Sequence, residues 1–299
     1  MAPNMNVPVM ANLTMEPRDV LSHRQLEPLT PLHPVAWHEM LARTNLENKY
    51  PLLTRQLIHG FNAGILHIPF TYTPPNNLPT YKHLHAFQEV VDNEFRKGRY
   101  IGPFTHTELT LLIGNFQTSP VSMVPKPGKP GHFHLVQNLS YPHTPQGPIS
   151  SINHSINSDL YPSTWGTFST ICTTIWSLPP GSQGAVHDIA EAYRSIPVAA
   201  SQWPGLVVRL DDDSFAVDTN ACFGCALSSG NFGHVADARA DIFRANGIGP
   251  LSKWVNDHIF FWIPHTFLKQ YNQLQEHNWQ CISDTGGVRQ DGGHIWFKG

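Results

Sequence analysis

The sequence predicts an α+β fold in which hairpins and helices alternate along the chain. Three pairs of short apolar runs are each separated by a polar or Gly/Pro-rich turn, which is the pattern of β-hairpins. Between these pairs, apolar residues recur at helical spacing. The sequence contains no internal repeat. The predicted order is therefore helices, hairpin, strand, hairpin, helix, hairpin and helix.

Composition and charge narrow the class of protein. The 299 residues suffice for one large domain or two small ones, and 40% of them are apolar whereas 14% are charged. The net charge of −3 gives no global basic field, which counts against a nucleic-acid partner but leaves room for a local basic groove. The four cysteines do not indicate a disulfide framework in a chain of this length.

The sequence shows no evident targeting signal. No apolar run reaches the roughly 18 residues that a membrane span needs. The N-terminus lacks the charged-then-apolar order of a signal peptide. We therefore expect an intracellular protein, in the cytoplasm or nucleus, that is not secreted and has no membrane partner.

The first third of the chain is predicted to be helical after a flexible tail. Residues 1–33 carry many prolines and no periodicity, and a helical N-terminal region is expected over 34–97. Two short helices are expected at 36–44 and 52–61. An extended loop at 62–80 and an amphipathic helix at 81–98 follow them. The last is the clearest, because four apolar side chains share one face before Gly98 ends it: Leu84, Phe87, Val91 and Phe95.

The remaining residues, 98–299, hold the hairpins. Strands are expected, in chain order, at 121–124 and 132–138, within 184–198, and at 205–210, 214–220, 251–255 and 258–263. Helices are expected at 106–113, at 166–176, from Phe232 to Gly247, and at 265–280.

Two aspartates stand at the ends of apolar strands. Asp188 ends one such run, and Asp257 lies in the polar triplet Asn256-Asp257-His258 between Trp254-Val255 and Ile259-Phe260-Phe261. A buried, unpaired carboxylate is unfavourable, so such acids are either in surface turns or held at a site. Carboxylates from adjacent strands can share divalent cations. On spacing alone, two surface turns are the simpler interpretation.

The order of the segments favours the site. SPVSMVPKPGKPGHFHLVQNLS resembles the fingers hairpin of reverse transcriptases, and VHDIAEAYRSIPV resembles their first catalytic palm motif. FGCALSSGNFGHVADA is similar to the glycine-containing motif, WVNDHIFF to the paired-aspartate hairpin, and GGHIWFKG to the start of the primer-gripping hairpin. Each motif is weak by itself. Their order over residues 98–299 resembles a reverse-transcriptase fingers and palm, of the DIRS-like fungal retroelement type, that ends before a thumb.

This resemblance implies a polymerase fold and chemistry. The fold would be an α+β fingers–palm unit with an antiparallel palm sheet backed by helices. The reaction would be RNA-directed DNA synthesis, in which a primer 3′-oxygen attacks the α-phosphate of a dNTP. Mg²⁺, with Mn²⁺ as an alternative, would be the cofactor. An RNA template, a DNA primer and dNTPs would be the partners, bound in a salt-dependent manner.

The resemblance also assigns roles to residues. Asp188 and Asp257 would be the catalytic metal ligands. Asn256 stands in the turn before Asp257, where the family has the first of two adjacent aspartates, and would be part of the same catalytic site. The carbonyl of Ile189 could add a ligand, and the Tyr193 ring would exclude a ribose 2′-hydroxyl. Further contacts to the nucleotide or template would come from fingers and helix residues: Lys126, Lys129, His134, Ser229 and Gly230.

Three departures from the family pattern weaken the expected activity. Asn256 replaces an aspartate and binds Mg²⁺ less well than a carboxylate. In the fingers, His134 and Asn138 stand where the family has Arg and Asp, and a neutral His is a poor substitute for a guanidinium. We therefore expect a weak or inactive polymerase. The alternatives are a non-catalytic nucleic-acid-binding or interaction remnant of a retroelement, or a reading frame without a functional product.

Three other polar features are interpreted as structural. The Asp211–Asp213 run is interpreted as a hairpin turn. Glu191 could supplement the acidic site, but it is interpreted as a solvated acid. Cys222 and Cys225 form a C-x-x-C, but a zinc site would need a second pair of ligands, which is not evident in the sequence.

Overall fold

The computed structural model describes residues 29–264, 267 and 295–298. Most of the expected tail, the expected helix at 265–280 apart from Phe267, and Cys281 lie outside the described residues. Within them, helices alternate with antiparallel sheets, so the α+β prediction is confirmed. No helix of the described part is long and apolar enough to cross a membrane.

The helical N-terminal region begins with α1 (Pro34–Arg43) and α2 (Leu53–His59), as predicted. The single helix predicted over 81–98 is instead two: α3 (Leu78–Lys82) and α4 (Leu84–Arg96). His83 adopts a non-helical φ of −122° between them, and its ring packs on Phe133 with centroids 4.4 Å apart. The break is therefore set by a tertiary contact that helical periodicity does not reveal.

The next elements are β1 (Tyr100–Phe104), α5 (His106–Ile113), β2 (Val121–Pro125) and β3 (Phe133–Gln137). The predicted hairpin, β2 with β3, is confirmed. The predicted α5 is confirmed as well, and Thr105 and Glu108 cap it reciprocally. β1 was not predicted because Gly102-Pro103 interrupts it. It lies at the edge of its sheet, where proline is tolerated.

The C-terminal elements follow the predicted order. They are α6 (Phe168–Ser177), β4 (Gln183–Asp188), β5 (Val207–Asp211), β6 (Ser214–Asp218), α7 (Ser228–Ala245), β7 (Leu251–Trp254), β8 (Asp257–Trp262) and β9 (Ile295–Lys298). β1, β6 and β5 form one antiparallel sheet in that order. The central sheet has the order β7-β8-β4-β9, and each neighbouring pair is antiparallel.

One apolar core connects the two ends of the described chain. Trp37, Leu41 and Leu57 of the N-terminal helices belong to the same buried cluster as Phe243 of α7 and Phe260 of β8. A smaller cluster lies under the β2–β3 hairpin and contains, among others, Phe87, Val91, Tyr100 and Met123. The central sheet is thus supported on one side by α7 while its strand ends remain at the surface.

Candidate active site

Asp188 and Asp257 lie directly across from each other on neighbouring strands. The β4–β8 ladder runs from Gln183 opposite Trp262 to Asp188 opposite Asp257, so the two acids form its last pair. Side chains of directly opposed residues point to the same face, with Cβ atoms about 4.5–5.5 Å apart. The predicted placement of the two acids on neighbouring strands is confirmed.

The carboxyl group of Asp257 is affected by its burial and by the neighbouring Asp188. Both side chains are partly buried. Burial, and then the negative charge of Asp188, raise the pKa of Asp257 above its ordinary value. A pair of converging carboxylates is a favourable place for a cation, because the cation relieves their repulsion.

Asn256 stands in the turn between β7 and β8 and contacts the same acid. Its side-chain Nδ2 donates a hydrogen bond to Oδ1 of Asp188. Its backbone carbonyl accepts a hydrogen bond of 2.9 Å from the N–H of Ile189. Val255, just before it, has a φ of 49°, which tightens the turn. The turn is therefore held to the end of β4 by both its backbone and its side chain.

Tyr193 follows β4 after a tight turn. Glu191 in this turn has a φ of 53°, and Tyr193 begins the short 3₁₀ segment Tyr193–Ser195. Its half-buried ring lies 5.4 Å from the ring of Phe223 and 5.8 Å from that of Phe232, centroid to centroid. Burial raises the pKa of its phenol.

Phe223 is a site residue that the sequence analysis missed. It is 44% exposed, and its ring centroid lies 5.4 Å from that of Tyr193 and 6.2 Å from that of His134 on β3. Phe223 therefore connects the β2–β3 hairpin to the segment that follows β4. Its position inside the C-x-x-C drew attention to the cysteines instead, and nothing in the local pattern indicates its contacts.

The predicted site residues of the β2–β3 hairpin lie at different places along it: Lys126 and Lys129 are in the turn, and His134 is on β3. Lys126 donates its backbone N–H to His132 at 2.8 Å, and Lys129 is exposed in the turn. Burial, and then the charge of Lys126, lower the pKa of His134. His134 is therefore neutral near pH 7, as the sequence suggested. Asn138 follows β3 and donates its N–H to Pro120 at 2.9 Å.

Ser229 and Gly230 lie in the first turn of α7, which begins earlier than predicted. Ser229 is exposed and Gly230 is buried. A Cβ at Gly230 would come within 2.8 Å of the Cβ and 2.9 Å of the carbonyl oxygen of Tyr161. Close packing of this helix on a loop therefore explains the glycine, and its role in nucleotide binding stays a prediction.

Glu191 is paired rather than simply solvated. Lys97 and Arg99 contact it at 2.5 and 3.0 Å. Burial alone would raise the pKa of Glu191, but hydrogen bonds from Arg99 and Lys97 outweigh burial and lower the pKa to about 2. This acid is therefore engaged with two cations and is not free to join Asp188 and Asp257.

The donor set near Asp188 fits magnesium better than zinc. Among the described residues, no group of three or more His, Cys, Asp or Glu side chains is arranged to hold a metal ion. Mg²⁺, however, is commonly held by one or two carboxylates together with water and substrate phosphates. Cys222 and Cys225 are buried thiols whose pKa values are raised by burial.

No family model and no curated protein matches the chain. Among solved structures, it is similar to a foamy viral protease–reverse transcriptase in complex with double-stranded DNA, with 16% identity, 87% of this chain and 51% of that chain covered, and a TM-score of 0.48. The native protease–reverse transcriptase of prototype foamy virus is also 16% identical, with a TM-score of 0.48. The similarity covers 87% of this chain and 33% of that chain. The foamy viral protease–reverse transcriptase in complex with an RNA/DNA hybrid is 17% identical, with a TM-score of 0.48. The similarity covers 94% of this chain and 35% of that chain. The chain spans about half of the first of these chains and about a third of the other two.

Proposed function

We propose that this chain is a reverse-transcriptase-like fingers–palm unit that carries out metal-dependent nucleotidyl transfer at a low rate. The observation that carries the proposal is the register of β4 and β8, which opposes Asp188 to Asp257 at the end of the central sheet. Burial, and then the charge of Asp188, raise the pKa of Asp257, and a carboxyl group in this setting favours a nearby cation.

The chain supplies the binding and positioning groups for this chemistry. Asp188 and Asp257 would hold Mg²⁺ or Mn²⁺, and the metal would supply charge stabilisation for the phosphate oxygens. Tyr193 and Phe223 form an aromatic wall that contacts the sugar of a dNTP. Lys126 and Lys129 lie on the turn that would meet its phosphates or the template. The substrates proposed are an RNA template, a DNA primer and dNTPs.

The low rate follows from Asn256. A neutral amide there adds no negative charge for the cations, and its N–H group occupies an oxygen of Asp188. A cation that used this oxygen would have to displace the hydrogen bond. Neutral His134 gives the fingers a weaker phosphate contact than an arginine would.

Primer extension by the purified chain tests this proposal. Single-turnover reactions with excess protein, in Mg²⁺ and then in Mn²⁺, should give slow extension that Asp188→Asn abolishes. Asp212→Asn is the matched control, because the side chain of Asp212 is 99% exposed at a hairpin tip. If the unaltered chain binds primer–template but neither it nor Asn256→Asp extends the primer, the non-catalytic binding remnant is the correct function.

A further inference from the structure

A chain of ion pairs, buried except at Glu191, begins at the turn that follows Asp188. We call Glu191, Arg99, Glu94, Arg194 and Asp218 the ion chain. Arg99 joins Glu191 at 3.0 Å to Glu94 at 2.6 Å. Arg194 joins Glu94 at 2.6 Å to Asp218 at 2.8 Å. The ion chain therefore starts at the turn after Asp188 and ends on β6.

Arg194 is the point where the ion chain meets the aromatic wall. It directly follows Tyr193, and besides its two acids its Nη1 donates to the carbonyls of Asn220 at 3.1 Å and Ala221 at 3.2 Å. Asn220 returns a hydrogen bond of 3.1 Å from Nδ2 to the carbonyl of Arg194. Asn220 and Ala221 lie three and two residues before Phe223, respectively. One guanidinium thus holds the segment of Tyr193 to the segment of Phe223.

The other end of the ion chain fixes the same segment relative to the metal site. Glu191 lies three residues after Asp188 and has a left-handed backbone. Lys97 and Arg99 hold its side chain against the end of α4. The residues between Asp188 and Tyr193 are therefore anchored on both sides by charge pairs with α4 and the residues that follow it.

Stability alone is a poor reason for burying these charges. Arg194 is 9% exposed and Asp218 is 1% exposed. Replacing a buried ion pair by apolar side chains is often neutral or stabilising, and the best-attested benefit of such pairs is a fixed register between elements. Here the elements that are fixed are those that carry Asp188, Tyr193 and Phe223.

We propose that Arg194 is a positioning residue: through the ion chain it sets the spacing between the aromatic wall and the Asp188–Asp257 pair, and thereby the preference for deoxyribonucleoside over ribonucleoside triphosphates. This inference rests on the proposed function. A wall that moves by a fraction of an ångström admits a 2′-hydroxyl, whereas the contacts to the base and phosphates change little. Arg194 touches neither the metal nor the sugar and acts only through Tyr193 and Phe223.

Equilibrium binding of dATP and ATP in Mn²⁺, by calorimetry, tests the inference without requiring catalysis. The readout is the preference for dATP, which is the dissociation constant of ATP divided by that of dATP. Tyr193→Ala should abolish the preference for dATP. Arg194→Lys and Glu94→Gln should lower it about tenfold, in the range that small steric differences in a pocket produce. The affinity for dATP itself should change less than about threefold.

Two further variants separate positioning from general damage. Asp241 lies on α7, outside the ion chain, and its carboxylate pairs with Lys49 and Arg244. Asp241→Asn should leave the ratio unchanged. Glu191→Gln acts at the half-exposed end of the ion chain, so it tests the inference even if the Arg194 and Glu94 variants do not fold. It should lower the ratio by a smaller factor while the melting temperature stays close to that of the unaltered chain.

The outcomes are distinguishable. If Tyr193→Ala removes the preference but Glu191→Gln and the folded Arg194 or Glu94 variants retain it, Arg194 does not position the wall. If Asp241→Asn lowers the ratio as much as Arg194→Lys, the effect is one of stability and the inference is wrong. If the unaltered chain binds neither nucleotide, the proposed function itself fails, and this inference fails with it.

Discussion

Asn256 donates a hydrogen bond from its side-chain amide to the carboxylate of Asp188, across the two strands that carry the candidate site. The same residue accepts the N–H of Ile189 through its backbone. The amide thus acts as a neutral partner for an acid that would otherwise face Asp257 alone. This arrangement keeps the hairpin closed on β4 and occupies an oxygen that a cation would use.

Asn256→Asp is expected to raise the single-turnover rate of primer extension more than any other single change. A carboxylate at this turn adds negative charge where the cations bind, and metal-centred charge stabilisation is worth several kcal/mol. Because each ~1.4 kcal/mol is tenfold in rate, we expect a gain on the order of 10²-fold or more. Rapid-quench extension of a labelled primer by one nucleotide measures it.

The matched control for this substitution is Asn62→Asp. Asn62 is exposed, and its Oδ1 accepts the N–H of Gly64 at 2.7 Å, which aspartate can also do. Asn62→Asp should leave the rate unchanged. An unaltered chain that already extends primers at about 1 s⁻¹, a typical enzyme rate, would contradict the explanation based on Asn256.

The same substitution should reduce stability when no divalent cation is present. Asn256→Asp removes a hydrogen bond to a charged group and places a third carboxylate beside Asp188 and Asp257. We expect a loss of about 1–3 kcal/mol in the free energy of unfolding, measured with urea in EDTA. Mn²⁺ should then raise the melting temperature of the variant more than that of the unaltered chain, because the cation binds only the folded site. Equal shifts would mean that residue 256 does not contact the cation.

Gly230→Ala should destabilise the fold because helix α7 packs too closely on the loop at Tyr161. The added methyl would lie within 2.9 Å of backbone and Cβ atoms, which cannot move as a flexible side-chain end can. Overpacking of this kind typically costs about 1–3 kcal/mol. Ser229→Ala, on the exposed side of the same turn, should change the unfolding free energy by about 0.5 kcal/mol or less. Urea unfolding of both variants measures the difference, and equal stabilities would contradict the close packing.

The predictions that succeeded depend on local pattern. The apolar runs beside Asp188 and Asp257 predict two strands, and the register of β4 and β8 confirms that these strands are neighbours and that they pair the two acids. Likewise, the polar turn at Asp211–Asp213 fixed the β5–β6 hairpin. In these cases the residues that determine the structure are neighbours in sequence, so periodicity and turn chemistry are sufficient.

The features that the sequence did not reveal are long-range. The hydrogen bond from Arg194 to Glu94 joins residues 100 positions apart, and neither residue has a local pattern that indicates a partner. Phe223 gains its place from rings on two other elements, Tyr193 and His134. β1 pairs with β6 from the sheet edge despite its proline. Each depends on how distant segments pack, which single-sequence reasoning does not supply.

The pairing of Glu191 gives the stability of the chain a specific dependence on acid. Its pKa is lowered from 4.5 to about 2, because hydrogen bonds from Arg99 and Lys97 favour the charged form over the effect of burial. Since the folded pKa lies below the unfolded one, this contribution is present above pH ~4.5 and is lost as the pH falls toward ~2. The guanidinium of Arg99 stays charged throughout this range.

Glu191→Gln should therefore lower the free energy of unfolding at pH 7 and lower it less as the pH approaches 2. The difference at pH 7 should be about 1 kcal/mol or less, because solvent screens a side chain that is 43% exposed. Urea unfolding of both proteins between pH 2 and pH 7 measures it. Glu89→Gln is the control, since Glu89 lies on the exposed side of α4 and its side chain pairs with His85 at 3.6 Å, whereas Lys97 and Arg99 pair with other acids. A difference for Glu191→Gln that stays constant from pH 7 to pH 2 would mean that the carboxylate charge of Glu191 does not stabilise the turn after Asp188.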